Sequence, residues 1–407
     1  MIKDYLKEED GFNARDVMEE ASRCLLCLDA PCSKNCPAGT DPAKFIRSIR
    51  FKNVDGACET VRENNILAGI CARVCPTEKY CELGCSRSGI DKPINISQIQ
   101  RYITDYEACT KKQILEKAKP NGKKVAIIGS GPSGLTAAGN LALRGFDVTV
   151  YEKQPKAGGY LRYGIPEYRL PNKVVDEEIK RIEDLGVNFL FNTNINTSKL
   201  LDELKEKNDA VILTLGFSKG KMLDMFKAFP NTVLAVDFLK DVKEARGKYK
   251  VPESAIVVGG GDVAMDVSLT LKKLGVKNVT DCAYEEFFEF RASLKELEAT
   301  REAGVTILDG YVPTNVTKEG LVTFKHRVIE SSISIKAPLI VLAIGQVSDF
   351  GELNITLDDL KDKNYRIKNT NIFYAGDIAP FDKTVVYSVK TGKEVTKAVM
   401  EFVKGDK

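Results

Sequence analysis

Two glycine-rich loops, each directly after a short apolar run, constrain the fold of this chain more than any other feature. Residues 124–128 are Lys-Val-Ala-Ile-Ile and lead into Gly-Ser-Gly-Pro-Ser-Gly at 129–134. Residues 255–258 are Ala-Ile-Val-Val and lead into Gly-Gly-Gly-Asp-Val-Ala at 259–264. A short apolar run predicts a strand buried in a parallel sheet, and a glycine loop between strand and helix can receive a pyrophosphate. The pattern therefore predicts two nucleotide-binding modules.

The first loop is followed by the other elements of a dinucleotide site. A helix is predicted over 135–143 and a strand over 147–151, and Glu152 stands at the end of that strand. An acidic residue at this place accepts hydrogen bonds from the ribose of adenosine. A glycine-rich turn in an α/β layer without a ligand is the alternative interpretation. The candidate contacts are Gly129, Gly131, Pro132, Ser133, Gly134 and Glu152.

The second loop has acidic residues where a phosphate site would have basic ones. The strand predicted over 279–284 is followed by Glu285 and Glu286. Two carboxylates would repel the 2′-phosphate of NADP, whereas either can accept from a free 2′-hydroxyl, so we expect NADH. The nearest cation, Arg291, argues against this preference, and a solvated acidic pair is the alternative. The candidate contacts are Gly259, Gly260, Gly261, Asp262, Val263, Glu285, Arg291 and Gly345.

Three further predicted strands end at glycine, and the last of them indicates a flavin. Residues 211–216 and 341–345 each run into a glycine, and 373–377 ends in Gly376-Asp377. An aspartate there can bond a ribityl hydroxyl, while the next helix points its N-terminal end at the flavin ring. The stretch 158–166 lacks the cysteine pair of disulfide reductases of this fold. The electrons of the flavin must therefore leave by another route.

Cysteines crowd the beginning of the chain. Of eleven cysteines, ten lie in the first 109 residues, and eight of these form two tight groups. Crowding without an export signal indicates metal or iron–sulfur ligation rather than disulfides. A [4Fe–4S] cluster suits this spacing better than the paired knuckles of a zinc site; zinc and unliganded thiols are the alternatives. By spacing alone the candidate ligands are Cys24, Cys27, Cys32, Cys36, Cys71, Cys75, Cys81 and Cys85.

Composition and charge exclude several other classes. A length of 407 residues is typical of two to three domains. A net charge of +3 does not indicate a nucleic-acid-binding surface. His326 is the only histidine, so a mechanism that needs several histidines is excluded. The charged N-terminal segment has no apolar signal region, and no run reaches the roughly 18 apolar residues of a membrane span. We therefore expect a cytoplasmic protein.

The residues before the first loop have helical patterns of their own. A capped helix is predicted over 13–21 and another over 41–49, with Pro42 in its first turn. The polar, lysine-rich stretch 111–124 contains Pro-Asn-Gly and is typical of a linker. The first 120 residues are therefore predicted to be a separate helical part.

Together these segments resemble one family of flavin and iron–sulfur oxidoreductases. Over its whole length the chain is similar to the small subunit of glutamate synthase and to the N-terminal half of dihydropyrimidine dehydrogenase. Within that group it most resembles the separate NADH-oxidising subunit of bacterial two-subunit dihydropyrimidine dehydrogenases. The resemblance rests on Cys24–Cys36, Cys75–Cys85, Pro93–Ile96, the first glycine loop, Leu161–Pro171 and Gly376-Asp377.

The resemblance implies an α/β fold in three parts. A helical domain with two [4Fe–4S] clusters would span 1–120. An FAD-binding domain would span 121–235 and 346–407, with an NAD-binding domain, 236–345, inserted in it. Both nucleotide domains would be Rossmann-like and arranged as in glutathione reductase.

The resemblance also implies a crossed set of cluster ligands. One cluster would take Cys24, Cys27, Cys32 and Cys85, and the other Cys36, Cys75, Cys81 and Gln100. This conflicts with spacing, which nominates Cys71 in place of Gln100; we favour Gln100. Two departures from the family concern the nucleotide sites: Tyr284 and Glu285 replace a basic pair of its NADP-binding members, and Lys383 precedes the Thr-Val-Val near the C-terminus. The implied further flavin contacts are Gly159, Tyr160, Arg169, Thr384 and Val385.

The implied activity is electron transfer from NADH through FAD and the two clusters to a partner. That partner would be a catalytic subunit carrying FMN and iron–sulfur clusters, reducing uracil or thymine. No side chain need act as acid or base, because the cofactors carry the chemistry. The alternatives are the small subunit of glutamate synthase, the input subunit of another reductase, or a zinc interaction module on an inactive flavin fold.

Overall fold

The structure, a computed structural model, describes residues 2–362 and 364–405; Met1, Lys363 and the last two residues of the predicted FAD domain lie outside it. The described residues form two compact units. The cysteine unit comprises Asp10–Arg162, Asn172–Gly216 and the chain from Asp349 onward. The second-loop unit comprises the residues up to Glu9, Tyr163–Pro171 and Phe217–Ser348.

The chain up to residue 110 is helical where it is regular. The helices are α1 (Ile2–Leu6), α2 (Ala14–Ser22), α3 (Pro31–Lys34), α4 (Pro42–Arg50), α5 (Val54–Asn64), α6 (Ala68–Val74) and α7 (Ile96–Thr110). The predicted helix starts are confirmed: Asn13 accepts from the N–H of Arg15 at 2.8 Å to cap α2, and Asp41 caps α4. The cysteine-bearing segments lie mostly between these helices.

The middle of the chain alternates strands and helices around the first glycine loop. These elements are β1 (Lys124–Ile128), α8 (Pro132–Ala142), β2 (Asp147–Tyr151), α9 (Tyr160–Tyr163), α10 (Asn172–Asp184), β3 (Asn188–Leu190), α11 (Ser198–Lys207) and β4 (Ala210–Leu213). The four strands are parallel, and β1 lies between β2 and β4. All four residues of β4 are buried, as expected for a strand covered on both faces.

The second-loop unit contains a second parallel sheet. Its elements are β5 (Lys219–Gly220), β6 (Thr232–Leu234), α12 (Ala235–Glu244), β7 (Ser254–Val258), α13 (Asp262–Lys273), β8 (Asn278–Cys282), α14 (Leu294–Glu302), β9 (Thr306–Leu308), β10 (Tyr311–Val316), β11 (Leu321–His326), β12 (Ser332–Lys336), β13 (Ile340–Leu342) and β14 (Gln346–Val347). The parallel order is β6-β13-β7-β8-β9, and β10, β11 and β12 form a separate antiparallel sheet. β5 pairs with β14.

The last elements return to the cysteine unit. Strand β15 (Ile372–Tyr374) adds to the free edge of β4, completing the order β15-β4-β1-β2-β3, and the long helix α15 (Val385–Lys404) follows. The mixed α/β class is confirmed. The division into three cofactor domains stays a prediction, although β6, inside the predicted FAD range, pairs with β13 of the second-loop unit. None of the described helices has the length and apolar character needed to cross a membrane.

Candidate cofactor sites

The structure brings together the first four thiols that the resemblance groups. Cys24 and Cys32 both lie within electrostatic range of Cys85, and Cys24 also of Cys27. Burial, reinforced by these neighbouring thiols, raises the pKa of Cys24 above its usual value. The same causes raise the pKa of Cys32 to about 11. Cys27 donates to Ser86 Oγ at 3.5 Å, which places it beside the residue that follows Cys85. The last cysteine of the second run thus joins the first run.

The other thiols form a second group. Burial raises the pKa of Cys75 and that of Cys81 well above the usual range. The nearby Cys36 thiol adds to the rise in both. Cys71 belongs to this group as well, since it lies within range of Cys75 and Cys36. Backbone N–H groups point at the sulfurs: Thr40 donates to Cys36 Sγ at 3.4 Å. In the first group Ile94 does the same to Cys85 at 3.4 Å.

The eighth position has two candidates in the structure. Gln100 is buried on α7, and its Nε2 donates to the Ala68 carbonyl at 2.8 Å, which fixes the amide. Cys71 is buried on α6 and is hydrogen-bonded to the Asn65 side chain; burial raises the pKa of its thiol to about 12. The choice of Gln100 over Cys71 stays a prediction.

The donor chemistry of the two groups fits iron–sulfur clusters. All eleven cysteines are free thiols, and thiolates are the usual ligands of a [4Fe–4S] core. Among the described residues no three His, Cys, Asp or Glu side chains are arranged to hold one metal ion.

In and beside the first glycine loop, glycines lie where two backbone segments approach too closely for a side chain to fit between them. A Cβ on Gly134 would collide with the Gly129 carbonyl. Gly159 has φ +52°, and a Cβ there would lie 2.9 Å from Gly131 Cα. A Cβ on Gly131 would meet nothing within 4 Å, so the loop is open at this point. Because α8 begins at Pro132, this opening lies at a helix N-terminus, where a pyrophosphate is favoured.

The predicted ribose acceptor, Glu152, also organises the loop. Its carboxylate accepts from Ser130 N at 3.0 Å, from Ser130 Oγ at 2.5 Å and from Gln154 N at 2.8 Å. Sequence reasoning missed Ser130, although a hydroxyl between the first two glycines was a visible signal. Glu152 thus holds the loop, and with three of its roughly four acceptor positions used, one on Oε1 remains. Its contact with a ribose stays a prediction.

The segment around Gly376 and Asp377, here called the flavin segment, packs against the first glycine loop. Gly376 has φ +80°, and a Cβ there would collide with Ser133 Oγ. Gly376 N donates to Thr391 Oγ1 at 3.0 Å, and Ser388 Oγ donates to Asp377 Oδ1 at 3.4 Å. Burial raises the pKa of Asp377 from its usual value. Thr391 and Ser388 could not have been found from the glycine pattern.

The residues after Asp377 close this segment. Lys383 Nζ donates to the Asp377 carbonyl at 2.6 Å and to the Ala379 carbonyl at 2.5 Å. Thr384 caps α15 by accepting from Tyr387 N at 3.4 Å, so Val385 is the first residue of the helix. The unusual Lys383 therefore holds the turn before the predicted Thr384 and Val385 contacts. Tyr160, at the start of α9, directly follows Gly159.

The second loop lies under the Glu285 carboxylate. A Cβ on Gly260 would collide with Glu285 Oε2, and a Cβ on Gly259 would collide with the Ala343 carbonyl. Arg291 Nε is 3.8 Å from Glu285 Oε1, so this cation is paired. Asp262 follows Gly261, the last glycine of the loop, and precedes Val263. Its Oδ1 accepts a hydrogen bond from Ser293 N at 2.6 Å.

A second cation near this strand end is also neutralised. The Arg327 guanidinium stacks 4.3 Å from the centre of the Tyr284 ring and donates to Glu289 Oε2 at 2.7 Å. Gly345, three residues after β13, has φ +102°. The Glu285 carboxylate therefore lies against the second loop, and its contact with NADH stays a prediction.

Arg169 occupies a different kind of environment from the other predicted contacts. Its guanidinium is bonded to Asp266 at 2.7 Å and to Glu296 at 2.9 Å within the second-loop unit. Burial raises the pKa of Asp266 to about 7, against the opposing effect of Arg169. The N–H groups of the Arg169 guanidinium are already used by the two carboxylates. A contact from Arg169 to a cofactor stays a prediction.

Comparisons with known proteins agree with this geometry. The family model for dihydropyrimidine dehydrogenase domain II with a 4Fe–4S cluster matches residues 1–112, and the pyridine nucleotide-disulphide oxidoreductase model matches 123–401. FprA from Mycobacterium tuberculosis (His57Gln mutant) is similar in fold, with a TM-score of 0.60 and 18% sequence identity; the match covers 70% of this chain and 85% of that chain. The chain is thus an oxidoreductase that joins a 4Fe–4S domain to a pyridine nucleotide-disulphide oxidoreductase domain, and the predictions of FAD, NAD and 4Fe–4S clusters are confirmed.

Full-length relatives define the family more closely. The NAD-dependent dihydropyrimidine dehydrogenase subunit PreT of Escherichia coli K12 is 48% identical over 99% of this chain and 98% of its own length. The PreT homolog of Salmonella typhi is 50% identical over 98% of each. The chain belongs to the PreT family of NAD-dependent dihydropyrimidine dehydrogenase subunits, which confirms the resemblance seen in the sequence.

Proposed function

We propose that this chain is the electron-input subunit of a cytoplasmic dihydropyrimidine dehydrogenase. It would oxidise NADH and deliver the electrons to a catalytic subunit of the PreA type, which carries FMN and iron–sulfur clusters and reduces uracil or thymine to the 5,6-dihydropyrimidine. The observation that carries this proposal is the presence of both cysteine groups and the flavin loop in one compact unit.

The flavin is proposed to sit on the first loop. The chemistry that bound FAD would supply there is acceptance of a hydride from NADH and release of electrons one at a time. The N-terminus of α8 and the open Gly131 would hold the pyrophosphate, and Glu152 the adenosine ribose. Asp377 would bond the ribityl chain. None of these groups has to move a proton, in keeping with cofactor chemistry.

Contacts inside the cysteine unit support electron transfer between the flavin segment and the second cysteine group. Tyr80, between Cys75 and Cys81, has its ring centre 5.8 Å from that of Tyr387. Burial raises the pKa of Tyr80 to about 12, and a hydrogen bond to Thr384 opposes this rise. The loop that carries two proposed cluster ligands thus contacts the first turn of α15, beside the proposed flavin site.

The second-loop unit is proposed to bind NADH. Its chain range supports an NAD domain inserted in an FAD domain, as in glutathione reductase, because residues 217–348 interrupt the cysteine unit. Glu285, lying over Gly260, would accept from the 2′-hydroxyl of NADH and repel a 2′-phosphate.

Reconstitution with the catalytic subunit tests this function. NADH oxidation should depend on both the partner and uracil or thymine, and NADPH should be a poor substitute. The same chain mixed with the large subunit of glutamate synthase, glutamine and 2-oxoglutarate is the control for the main alternative. Activity in that control, with none on pyrimidines, would overturn the proposal in favour of glutamate synthase.

A further inference from the structure

Helix α15 packs closely on the flavin loop through one short segment. A Cβ on Gly392 would lie 2.7 Å from the Ser133 carbonyl and 2.8 Å from Thr136 Cβ. One residue earlier, Thr391 accepts from Gly376 N. This part of α15 is therefore held against the backbone that would carry FAD.

The next residue, Lys393, reaches into the cysteine-bearing part of the same unit. Its Nζ donates to the Ala38 carbonyl at 2.6 Å and to the Asn64 carbonyl at 2.7 Å. Ala38 is two residues after Cys36, and the ammonium lies within electrostatic range of the Cys36 thiol. Asn64 precedes Asn65, whose side chain donates to Thr40 Oγ1 at 3.3 Å.

We propose that Lys393 is a positioning and charge-tuning residue for the cluster of Cys36, Cys75, Cys81 and Gln100. The inference rests on the proposed function, which supplies that cluster and its electrons. One-electron reduction adds one negative charge to the cluster, so a cation fixed near Cys36 stabilises the reduced form and raises its midpoint potential. The two carbonyl bonds hold the cation in place and tie the Cys36 loop to the flavin helix.

Lys393 is not the only charged side chain in this part of the cysteine unit. Lys397, Arg144 and Glu394 also act on its ammonium. None of the three, in the described contacts, donates to the backbone near Cys36, as Lys393 does. The role proposed here therefore belongs to Lys393 and not to the cationic surface of α15 in general.

The test is a potentiometric titration followed by electron paramagnetic resonance on the anaerobically purified full chain. Lys393→Met removes the charge, Lys393→Arg keeps it, and Lys393→Gln keeps a donor without charge. Lys404→Met, an exposed lysine at the end of α15, is the matched control. FAD and iron contents are measured for each variant.

We expect K393M and K393Q to lower the reduction equilibrium constant of one cluster about tenfold, or ~59 mV for one electron. K393R should keep the wild-type potential, and K404M should change nothing. If K393M fails to assemble its cluster, K393Q decides. Wild-type potentials in K393Q would overturn the inference, whereas the absence of cluster signals from the wild-type chain would instead overturn the proposed function.

Discussion

At the scale of single residues, the structure distinguishes two adjacent carboxylates at the proposed NADH site. Glu285 and Glu286 are equivalent in the sequence, but only Glu285 lies over Gly260 of the second loop. Its partner Arg291 is 3.8 Å away and largely exposed, so the pair is loose. Of the two adjacent glutamates, the structure therefore favours Glu285 as the candidate contact to NADH.

Reversing the charge of Glu285 should shift the preference towards NADPH. In Glu285→Lys we expect the ratio of kcat/KM for NADPH over NADH to rise at least about tenfold, since one tenfold step needs only about 1.4 kcal/mol. Steady-state flavin reduction with each nucleotide measures this ratio. Glu286→Lys makes the same charge change one residue away and should have a smaller effect; equal effects would contradict the assignment.

A buried aspartate without a partner lies four residues before Glu285. Asp281 on β8 is fully buried, and neither of its carboxylate oxygens has a hydrogen-bond partner among the described residues. Burial raises its pKa well above the usual value, with Glu285 adding to the rise. Because the folded-state pKa exceeds the unfolded one, its contribution to stability is greatest below the unfolded pKa of about 3.9 and is lost as pH rises towards the folded value.

Asp281→Asn should therefore stabilise the protein at neutral pH. The expected gain is about 1–3 kcal/mol, because the isosteric amide removes the ionisation cost but still lacks a partner. Thermal unfolding at a series of pH values should show the gain shrinking as pH falls towards 4. Asp10→Asn, at an exposed position, is the control, and an equal gain there would refute the argument.

At the scale of elements, one buried arginine joins three helices of the cysteine unit. Arg62 of α5 donates to Glu107 of α7 at 2.7 Å and to Glu178 of α10 at 2.7 and 2.8 Å. A further bond runs to the Ile66 carbonyl at 3.0 Å. This network connects the helical, cysteine-bearing part to a helix of the flavin sheet.

Arg62→Met should weaken the whole cysteine unit. Removing the guanidinium leaves the two buried carboxylates with only the longer contacts to Arg181, at 3.3 Å from Glu107 and 3.5 Å from Glu178. Loss of one partner from a buried ion pair typically costs about 3–5 kcal/mol. The expected result is a clear fall in the thermal midpoint and loss of bound FAD together with iron. Arg15→Met, which breaks an exposed pair with Glu19, should leave the midpoint unchanged; a similar fall in both variants would contradict the network's role.

Elements with strong periodicity could be predicted from the sequence, whereas contacts between distant residues could not. β1, α8 and β2 lie where the apolar runs and glycines predict them. The antiparallel sheet of β10, β11 and β12 was missed, because its partly exposed strands lack a continuous apolar run. Arg62–Glu178 and Lys393–Ala38 join residues more than a hundred positions apart, where spacing carries no signal.

At the scale of the whole molecule, the proposed function requires electrons to enter from NADH and to leave through thiolate-bound clusters. The structure places Cys85 near thiols of the first run and Cys36 near thiols of the second. The division of these thiols into two cluster sites stays a prediction. The candidate ligands could be named from the sequence. The alternative between Gln100 and Cys71 could not be resolved there, since both lie on neighbouring helices at plausible spacing.

The most direct measurement compares the wild-type chain with Cys75→Ser, each combined with the catalytic subunit under anaerobic conditions. Flavin bleaching by NADH and formation of dihydrouracil are followed in the same sample. We predict that NADH bleaches the flavin in both, while dihydrouracil forms at the full rate only with the wild-type chain. Equal dihydrouracil formation by a C75S chain whose iron content has fallen would contradict a route through the clusters.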